Sequence, residues 1–163
     1  MNQTQETLTT IIIPAYNEES GLPIVLEKIF KAVDGNYEVI VIDDGSTDRT
    51  SEAAQQFPCQ VIRHKANKGK GEALKTGIAH AQGENIIWID ADDTYPVELI
   101  PQMGDALETY DMVVGSRRYG RENIPRFNRL GNFVFRTMIR KIYGFKPYDP
   151  CTGLYGAKKC HLK

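Results

Sequence analysis

The sequence has no long apolar run and few cysteines, and both shortages narrow the class of protein. No stretch of its 163 residues approaches the roughly 18 consecutive apolar residues that a membrane-spanning helix needs. The three cysteines, Cys59, Cys151 and Cys160, form no CxxC pair. Residues 1–9 are polar and lack the apolar core of a secretory signal. We therefore expect reduced thiols and a cytoplasmic protein.

Metal-binding histidine motifs and the usual dinucleotide fingerprint are also missing. His64, His80 and His161 show no metal-ligand spacing, so ordinary buried or surface positions are expected for them. No GxGxxG follows the first predicted strand, which argues against a Rossmann dehydrogenase. The larger part of the chain is acidic, so no nucleic-acid partner is expected.

The sequence does contain a sharp separation of charge. The net charge of −1 combines an acidic section with a basic one. Residues 1–116 hold 19 acidic and 8 basic side chains, whereas residues 117–163 hold 2 acidic and 12 basic ones. This asymmetry indicates two binding tasks, one for a cation and one for an anion.

Apolar, β-branched runs alternate with helical patterns along the chain. The predicted strands cover residues 8–13, 37–43, 59–64, 85–89 and 111–116, with a last short strand within 151–159. The predicted helices cover residues 20–33, 47–57, 71–83 and 96–110. Pro14 is expected to end the first strand, and Ser20 and either Thr47 or Asp48 are expected to cap the first two helices.

This alternation predicts an α/β fold, a three-layer α/β/α sandwich around a mainly parallel, Rossmann-like sheet. The strands are unbroken apolar runs, as expected where helices cover both faces of a sheet. We expect one domain over residues 8–163, after a disordered tail at residues 1–7. No closing helix follows the last predicted strand, so the domain is expected to be truncated at its C-terminus.

A group of carboxylates follows the fourth predicted strand in "IIWIDADDTYP", residues 86–96. Ligands of open α/β sheets bind beyond the carboxyl ends of the strands, where "PAYNEE", "DDGSTD" and "NKGKGEA" are also expected. Asp90 and Asp92 lie two apart in an extended segment, so their side chains share one side. Their repulsion would be relieved by Mg²⁺ or Mn²⁺ bound together with substrate phosphates. The sequence therefore predicts a divalent metal that holds a diphosphate.

The ordered segments "IIIPAYNEE", "VIVIDDGSTDRT", "NKGKGEALKTGIAHAQGENIIWIDADD" and "VVGSR" resemble family 2 glycosyltransferases with the GT-A fold. Over about residues 8–157, the similarity is closest to dolichol- and polyprenol-phosphate sugar transferases. The resemblance implies an enzyme that takes a hexose from a nucleotide-sugar such as GDP-mannose or UDP-glucose. It also implies transfer with inversion, dependent on Mg²⁺ or Mn²⁺.

By position, the resemblance places the donor site at the strand ends. Asp92 would be the principal metal ligand, and Asp90 would contact donor and metal. Asp43 or Asp44 would contact the nucleoside, with the strand-end acid favoured for the base. Lys70 either neutralises donor phosphate or is a solvated surface charge. The whole nucleotide-sugar site would comprise Pro14, Ala15, Tyr16, Glu18, Asp43, Asp44, Lys70 and Asp90.

The resemblance also implies an anionic acceptor, a polyprenyl or dolichyl phosphate, bound by the basic section. Arg117, Arg126 and Arg129 match basic positions of the lipid-phosphate transferases, and guanidinium groups suit phosphate. Such an acceptor needs no general base, so Asp90, Asp92 and Arg117 are the residues expected to support catalysis.

A basic amphipathic helix is predicted over residues 127–143. It either lies on the inner face of a membrane, as a peripheral contact, or packs on the sheet as an ordinary helix. A second copy of the chain, in a homodimer, is a further candidate partner.

Two departures from the lipid-phosphate pattern leave alternatives open. Asp93 and Thr94 stand where those transferases often have Leu and Gln, so Asp93 is either an extra metal ligand or a helix cap. Tyr155 stands where Arg is common, which leaves a glycan acceptor as an alternative.

Two other functional classes also remain. "DADDT" fits the haloacid-dehalogenase phosphatase signature, in which Asp90 would be the nucleophile and Asp92 a general acid and base. A nucleotide-binding module without catalysis is the non-enzyme alternative.

Overall fold

The computed structural model describes residues 7–115 and 152–162, which contain six strands and four α-helices. In chain order these are β1 (Thr9–Ala15), α1 (Gly21–Ala32), β2 (Tyr37–Asp43), α2 (Thr50–Ala54), β3 (Gln60–Arg63), α3 (Lys70–His80), β4 (Asn85–Trp88), α4 (Ile100–Thr109), β5 (Met112–Val114) and β6 (Tyr155–Lys158). Single 3₁₀ turns precede α4 at Val97–Leu99 and follow β6 at Lys159–His161. Each strand and helix predicted within these ranges is present.

The strands form one sheet in the order β3-β2-β1-β4-β6-β5. β1 to β4 pair in parallel around the central β1, in which Ile11 is level with Val39 and Ile87. β6 lies between β4 and β5 and runs antiparallel to both. The predicted, mainly parallel sheet is confirmed, and its four parallel strands end at one edge, where their exit loops are neighbours.

Two apolar layers lie on opposite faces of the sheet. Ile11 and Ile13 belong to a core that also contains buried residues of α1 and α4. Ile12, between them, faces α3 on the other side. Gly77 allows α3 to approach, because a Cβ at this position would lie 2.5 Å from Ile12 Cγ2. The alternation confirms the three-layer α/β/α sandwich.

The first strand is longer than predicted. Pro14 does not end it: β1 continues to Ala15, and Pro14 is level with Ile42 in β2. A proline so near the end of a strand removes only one backbone donor from the sheet. The carbonyl of Ala15 still accepts the N–H of Asp44 at 2.8 Å.

Ser20 occupies the N-cap position of α1, as predicted, but its side chain makes no capping hydrogen bond. The cap predicted at Thr47 or Asp48 is wrong, because α2 begins at Thr50 with Arg49 at the cap position. Asp48 nevertheless accepts the N–H of Thr50 at 3.0 Å, so it stabilises the entry to α2 without capping it. Thr47 is engaged by the loop after β1, as described below.

Several predictions fall outside the described residues. They concern the helix at 127–143 and the site residues Arg117, Arg126 and Arg129. Within residues 7–115 and 152–162, no helix has both the length and the apolar character needed to cross a bilayer.

Candidate functional site

The exit loops of β1 and β2 are joined by side chains. The N–H of Asn17 donates to Ser46 Oγ at 2.9 Å, and Asn17 Oδ1 accepts the N–H of Thr47 at 2.8 Å. The N–H of Glu18 donates to Thr50 Oγ1 at 2.9 Å. Asn17 adopts a positive φ of 56°, a conformation that asparagine tolerates better than most residues. Residues 16–19 and 46–50, which we call the paired loops, therefore form one rigid surface.

Asp43, at the end of β2, has a buried side chain that is hydrogen-bonded within the protein. Its carboxylate is fully buried and accepts the N–H of Ser46 at 2.8 Å and the hydroxyl of Ser51. Arg63 Nε lies 3.4 Å from Asp43 Oδ2. A buried carboxylate needs such partners, and here they fix the turn that leads into the second of the paired loops.

Asp44, the next residue, organises the loop between β3 and α3. It accepts the backbone N–H groups of Lys68 at 3.0 Å and Gly69 at 2.7 Å, and its Oδ1 lies 2.7 Å from His64 Nδ1. His64 Nε2 contacts Thr76 Oγ1 of α3 at 2.9 Å. Burial acts to raise the pKa of Asp44, but the hydrogen bonds from His64, Lys68 and Gly69 outweigh it, and the pKa is lowered.

Lys70 and Asp90 meet across the edge of the sheet. Lys70 is the first residue of α3, directly after Gly69, whose φ of 89° turns the chain into the helix. Its Nζ forms an ion pair with Asp90 Oδ1, and both side chains remain partly exposed. The two residues that were predicted to contact donor phosphate and metal are therefore adjacent.

Asp92 and Asp93 diverge despite being neighbours in sequence. Asp92 is exposed, and its Oδ1 accepts the N–H of Thr94 at 3.1 Å and its hydroxyl at 2.6 Å. Asp93 has a positive φ of 57° and contacts Lys28 Nζ of α1 at 2.6 and 2.7 Å. Asp93 thus pairs with α1, and it does not cap the following 3₁₀ turn, whose cap position is Pro96.

Glu18 lies close enough to the aspartates of the site for their negative charge to affect its pKa. Burial and then repulsion from Asp92, Asp48 and Asp90 raise the pKa of Glu18. Gly21 makes room for this approach, because a Cβ at this position would lie 3.0 Å from Glu18 Oε2 and 2.8 Å from the carbonyl oxygen of Ala91. The site therefore carries more negative charge than Lys70 alone balances.

The carboxylates of the site suit a divalent metal whose remaining ligands come from water and the substrate. In the described residues, no group of three or more His, Cys, Asp or Glu side chains is arranged to hold a metal. Mg²⁺ and Mn²⁺ sites of phosphate-transferring enzymes commonly use one or two carboxylates and complete the shell with water and substrate phosphates. The exposed carboxylate of Asp92 and the partly exposed one of Asp90 fit that chemistry.

The other predicted site residues occupy different depths. Pro14 is half-buried, Ala15 is buried, and Tyr16 is 45% exposed at the start of the paired loops. His64 and Lys28 were not predicted to serve the site. The acid directly before "GST" is Asp44, which contacts His64, and the extra aspartate after "DAD" is Asp93, which contacts Lys28. Both acids are visible in the sequence, but neither motif specifies its partner.

Comparisons with known proteins agree with the fold and identify the family. The model of glycosyl transferase family 2 matches residues 10–159. A dolichyl-phosphate hexose transferase from Haloferax volcanii is 35% identical over 88% of the chain and 63% of its own length. A dolichol-phosphate mannosyltransferase from Pyrococcus furiosus is 36% identical over 92% of the chain and 46% of its own length. The chain thus spans about half to two thirds of these curated relatives.

A solved structure gives the same picture. Glucosyl-3-phosphoglycerate synthase from Mycobacterium tuberculosis, in complex with Mn²⁺, UDP and glucosyl-3-phosphoglycerate, superimposes with a TM-score of 0.77 at 27% identity. The match covers 94% of this chain and 57% of that one. The predicted GT-A fold is confirmed, and the phosphatase alternative has no support. The chain belongs to glycosyl transferase family 2.

Proposed function

We propose that this chain binds a nucleotide-sugar at the carboxyl edge of β1 to β4 and transfers its hexose with inversion to a polyprenyl or dolichyl phosphate. The observation that carries the proposal is the ion pair between Lys70 and Asp90, beside the exposed Asp92. The two carboxylates can bind a divalent metal, and the lysine can bind the diphosphate that the metal holds. All three groups lie beyond the carboxyl edge of the parallel strands, where ligands of such sheets bind.

Each part of the site has a separate task in this proposal. Asp92 and Asp90 hold Mg²⁺ or Mn²⁺, which supplies Lewis-acid stabilisation of the departing nucleoside diphosphate. Lys70 turns from Asp90 to the donor phosphates. The exposed ring of Tyr16, beside Pro14 and Ala15, offers a flat surface to the base.

Glu18, Asp43 and Asp44 complete the donor side. Asp43 is fully buried and already hydrogen-bonded, so its contribution is to fix the paired loops. Asp44 holds the backbone of Lys68 and Gly69 and thereby sets where α3 and Lys70 begin. Glu18, on the paired loops, faces the same acidic region.

The acceptor side is assigned to Arg117, Arg126 and Arg129, which lie outside the described residues. An acceptor phosphate is a nucleophile without deprotonation, so the protein's task is to hold it behind the anomeric carbon. The names of the Haloferax and Pyrococcus relatives support a dolichyl-phosphate acceptor. The mycobacterial structures contain glucosyl-3-phosphoglycerate or phosphoglyceric acid instead, and these compounds also carry phosphate.

Thermal unfolding tests the donor site directly. We expect Mn²⁺ and GDP or UDP together to raise Tm more than the sum of their separate effects, because each completes the binding site of the other. Asp92→Asn should abolish this synergy. Asp105→Asn is the matched control, since Asp105 is an exposed acid on α4 away from the site.

Transfer is tested with a panel of acceptors. Incubation of the full-length protein with GDP-mannose or UDP-glucose should label a dolichyl or undecaprenyl phosphate, and not a neutral oligosaccharide. Labelling of the oligosaccharide alone would overturn the acceptor assignment. A complete lack of synergy between Mn²⁺ and either nucleotide would overturn the donor assignment.

A further inference from the structure

We propose that Gly153 is a positioning residue for Asp90: its missing side chain provides the space that the Asp90 carboxylate occupies. The consequence for metal and donor rests on the proposed function, whereas the steric relationship does not. Gly153 lies just before β6, far along the chain from the acidic motif that it would serve.

The backbone of Gly153 lies too close to Asp90 and Tyr95 to admit a side chain. A Cβ built on this residue would lie 2.5 Å from Asp90 Cγ, and still closer to Asp90 Oδ2. It would also lie 2.7 Å from Cε2 of the buried Tyr95. Such separations are far below van der Waals contact, so any side chain at residue 153 must displace one of these groups.

The backbone around Gly153 is fixed, so the displaced group would be a side chain. Leu154 is buried, its carbonyl accepts the N–H of Gly115 at 2.9 Å, and its own N–H reaches Thr152 Oγ1 at 3.3 Å. Tyr155, the first residue of β6, is level with Trp88 of β4 and stacks on it. The partly exposed Asp90 is less constrained than this packed segment.

Asp90 is therefore held from two sides. Lys70 Nζ contacts its Oδ1, while the backbone of Gly153 lies against its Oδ2. The ion pair supplies attraction, and the close backbone limits the orientations open to the carboxylate. A methyl group at residue 153 would leave the residues of the site intact and redirect one of its two metal-binding carboxylates.

The first test compares two glycine substitutions. Gly153→Ala should weaken the apparent Mn²⁺ affinity, measured from Tm at fixed UDP or GDP, by about ten-fold or more, as when an outer-shell partner of a metal ligand is changed. Gly104→Ala is the matched control, because its Cβ would also meet a side chain at close range, Tyr37 OH at 2.8 Å, but at the opposite edge of the sheet. The control should retain the Mn²⁺ affinity of the wild type.

The second test needs neither metal nor nucleotide. Urea unfolding of the wild type, Gly153→Ala, Asp90→Ala and the double variant forms a thermodynamic cycle. Gly153→Ala should be less destabilising in the Asp90→Ala background, since the carboxylate that it meets is absent there. If Gly153→Ala alone folds poorly, recovery of folding in the double variant would show the same coupling, and no recovery would contradict it.

The outcomes separate the inference from the proposed function. Equal destabilisation by Gly153→Ala in both backgrounds, or an unchanged Mn²⁺ affinity, would overturn the positioning role. If the wild type shows no joint response to Mn²⁺ and nucleotide while the cycle shows coupling, the proposed function fails and the steric relationship between Gly153 and Asp90 stands.

Discussion

The carboxylate of Asp44 accepts the backbone N–H of Gly69 at 2.7 Å, which joins the end of β2 to the start of α3. Lys68 donates a second backbone N–H to the same carboxylate at 3.0 Å. The loop that presents Lys70 is therefore anchored by a charge two strands away from Asp90. Loss of that charge should affect both stability and donor binding.

Asp44→Asn is expected to lower the free energy of unfolding at pH 7 by roughly 2 kcal/mol, the scale of hydrogen bonds to a buried charged group. The pKa of folded Asp44 is below its ordinary value of 3.8. Its stabilisation is therefore present above that value and is lost as the pH falls through the folded pKa. Urea titrations between pH 7 and pH 2 should show a smaller acid loss in the variant. An acid loss identical to that of the wild type would contradict the assignment.

Glu18→Gln is expected to stabilise the ligand-free protein and to weaken its response to Mn²⁺. The pKa of Glu18 is raised, so its ionised form is disfavoured in the fold, and this cost disappears as the pH falls through the raised pKa. The gain at pH 7 should be no more than about 0.5 kcal/mol, as for surface charges. Tm with and without Mn²⁺ and UDP provides the measurement, and Glu108→Gln on α4 is the control. A lower Tm of the ligand-free variant would refute the repulsion.

Lys28→Met should reduce stability by about 1 kcal/mol, the upper range for partly exposed ion pairs. Lys28 contacts both oxygens of Asp93 and thereby ties α1 to the loop that carries Asp92. Lys31→Met is a matched control on the same helix, because Lys31 pairs with the exposed Glu27 one turn away on α1 itself. Urea unfolding of the two variants gives the comparison, and equal effects would contradict a special role for the Lys28 contact.

Cys59 should resist alkylation in the native protein. Burial raises the pKa of its thiol to about 11, so at pH 8 almost none of it is the reactive thiolate. Cys160 is a free and exposed thiol. Iodoacetamide treatment followed by peptide mass spectrometry should therefore find Cys160 modified before Cys59, and rapid native labelling of Cys59 would contradict its partial burial and raised pKa.

Arg117→Ala should impair sugar transfer to a lipid phosphate by at least about ten-fold while it leaves donor binding unchanged. The reason is the loss of a charge-assisted contact to the acceptor, worth about 1.5 to 3 kcal/mol. Transfer assays and nucleotide-dependent Tm shifts separate the two effects, with the adjacent Arg118→Ala as the control. Loss of donor binding would remove Arg117 from the acceptor site.

Most of the sheet could be predicted because its signals are local. Apolar runs such as Ile11 to Ile13 predict a buried strand, and the apolar period of α1 predicts the face that it buries. The insertion of β6 between β4 and β5 had no such signal, since strand order depends on contacts between distant segments. Pro14 was misjudged because β1 stays paired with β2 through Ala15, beyond the end of its pairing with β4 at Ile12, so the missing N–H of Pro14 does not end the strand.

The sequence predicted which types of residue form the site better than it predicted which residues contact one another. That acids would gather at the exits of β2 and β4 followed from parallel topology and the spacing of the motifs. The partners of those acids did not follow. Asp93 contacts Lys28 because its backbone adopts a positive φ, and Asp90 lies against Gly153 because β6 returns to β4. Neither the turn geometry nor the return is visible in the local sequence.

The paired loops also set a rule for exchanging segments between homologues. The side chain of Asn17 accepts a hydrogen bond from the backbone of Thr47. In return, the side chains of Ser46 and Thr50 accept hydrogen bonds from the backbone of Asn17 and Glu18, respectively. A chimaera that took only "PAYNEE" from a transferase with another base preference would lose hydrogen bonds to the native residues 46–50. Exchanges meant to change specificity should therefore replace both of the paired loops together.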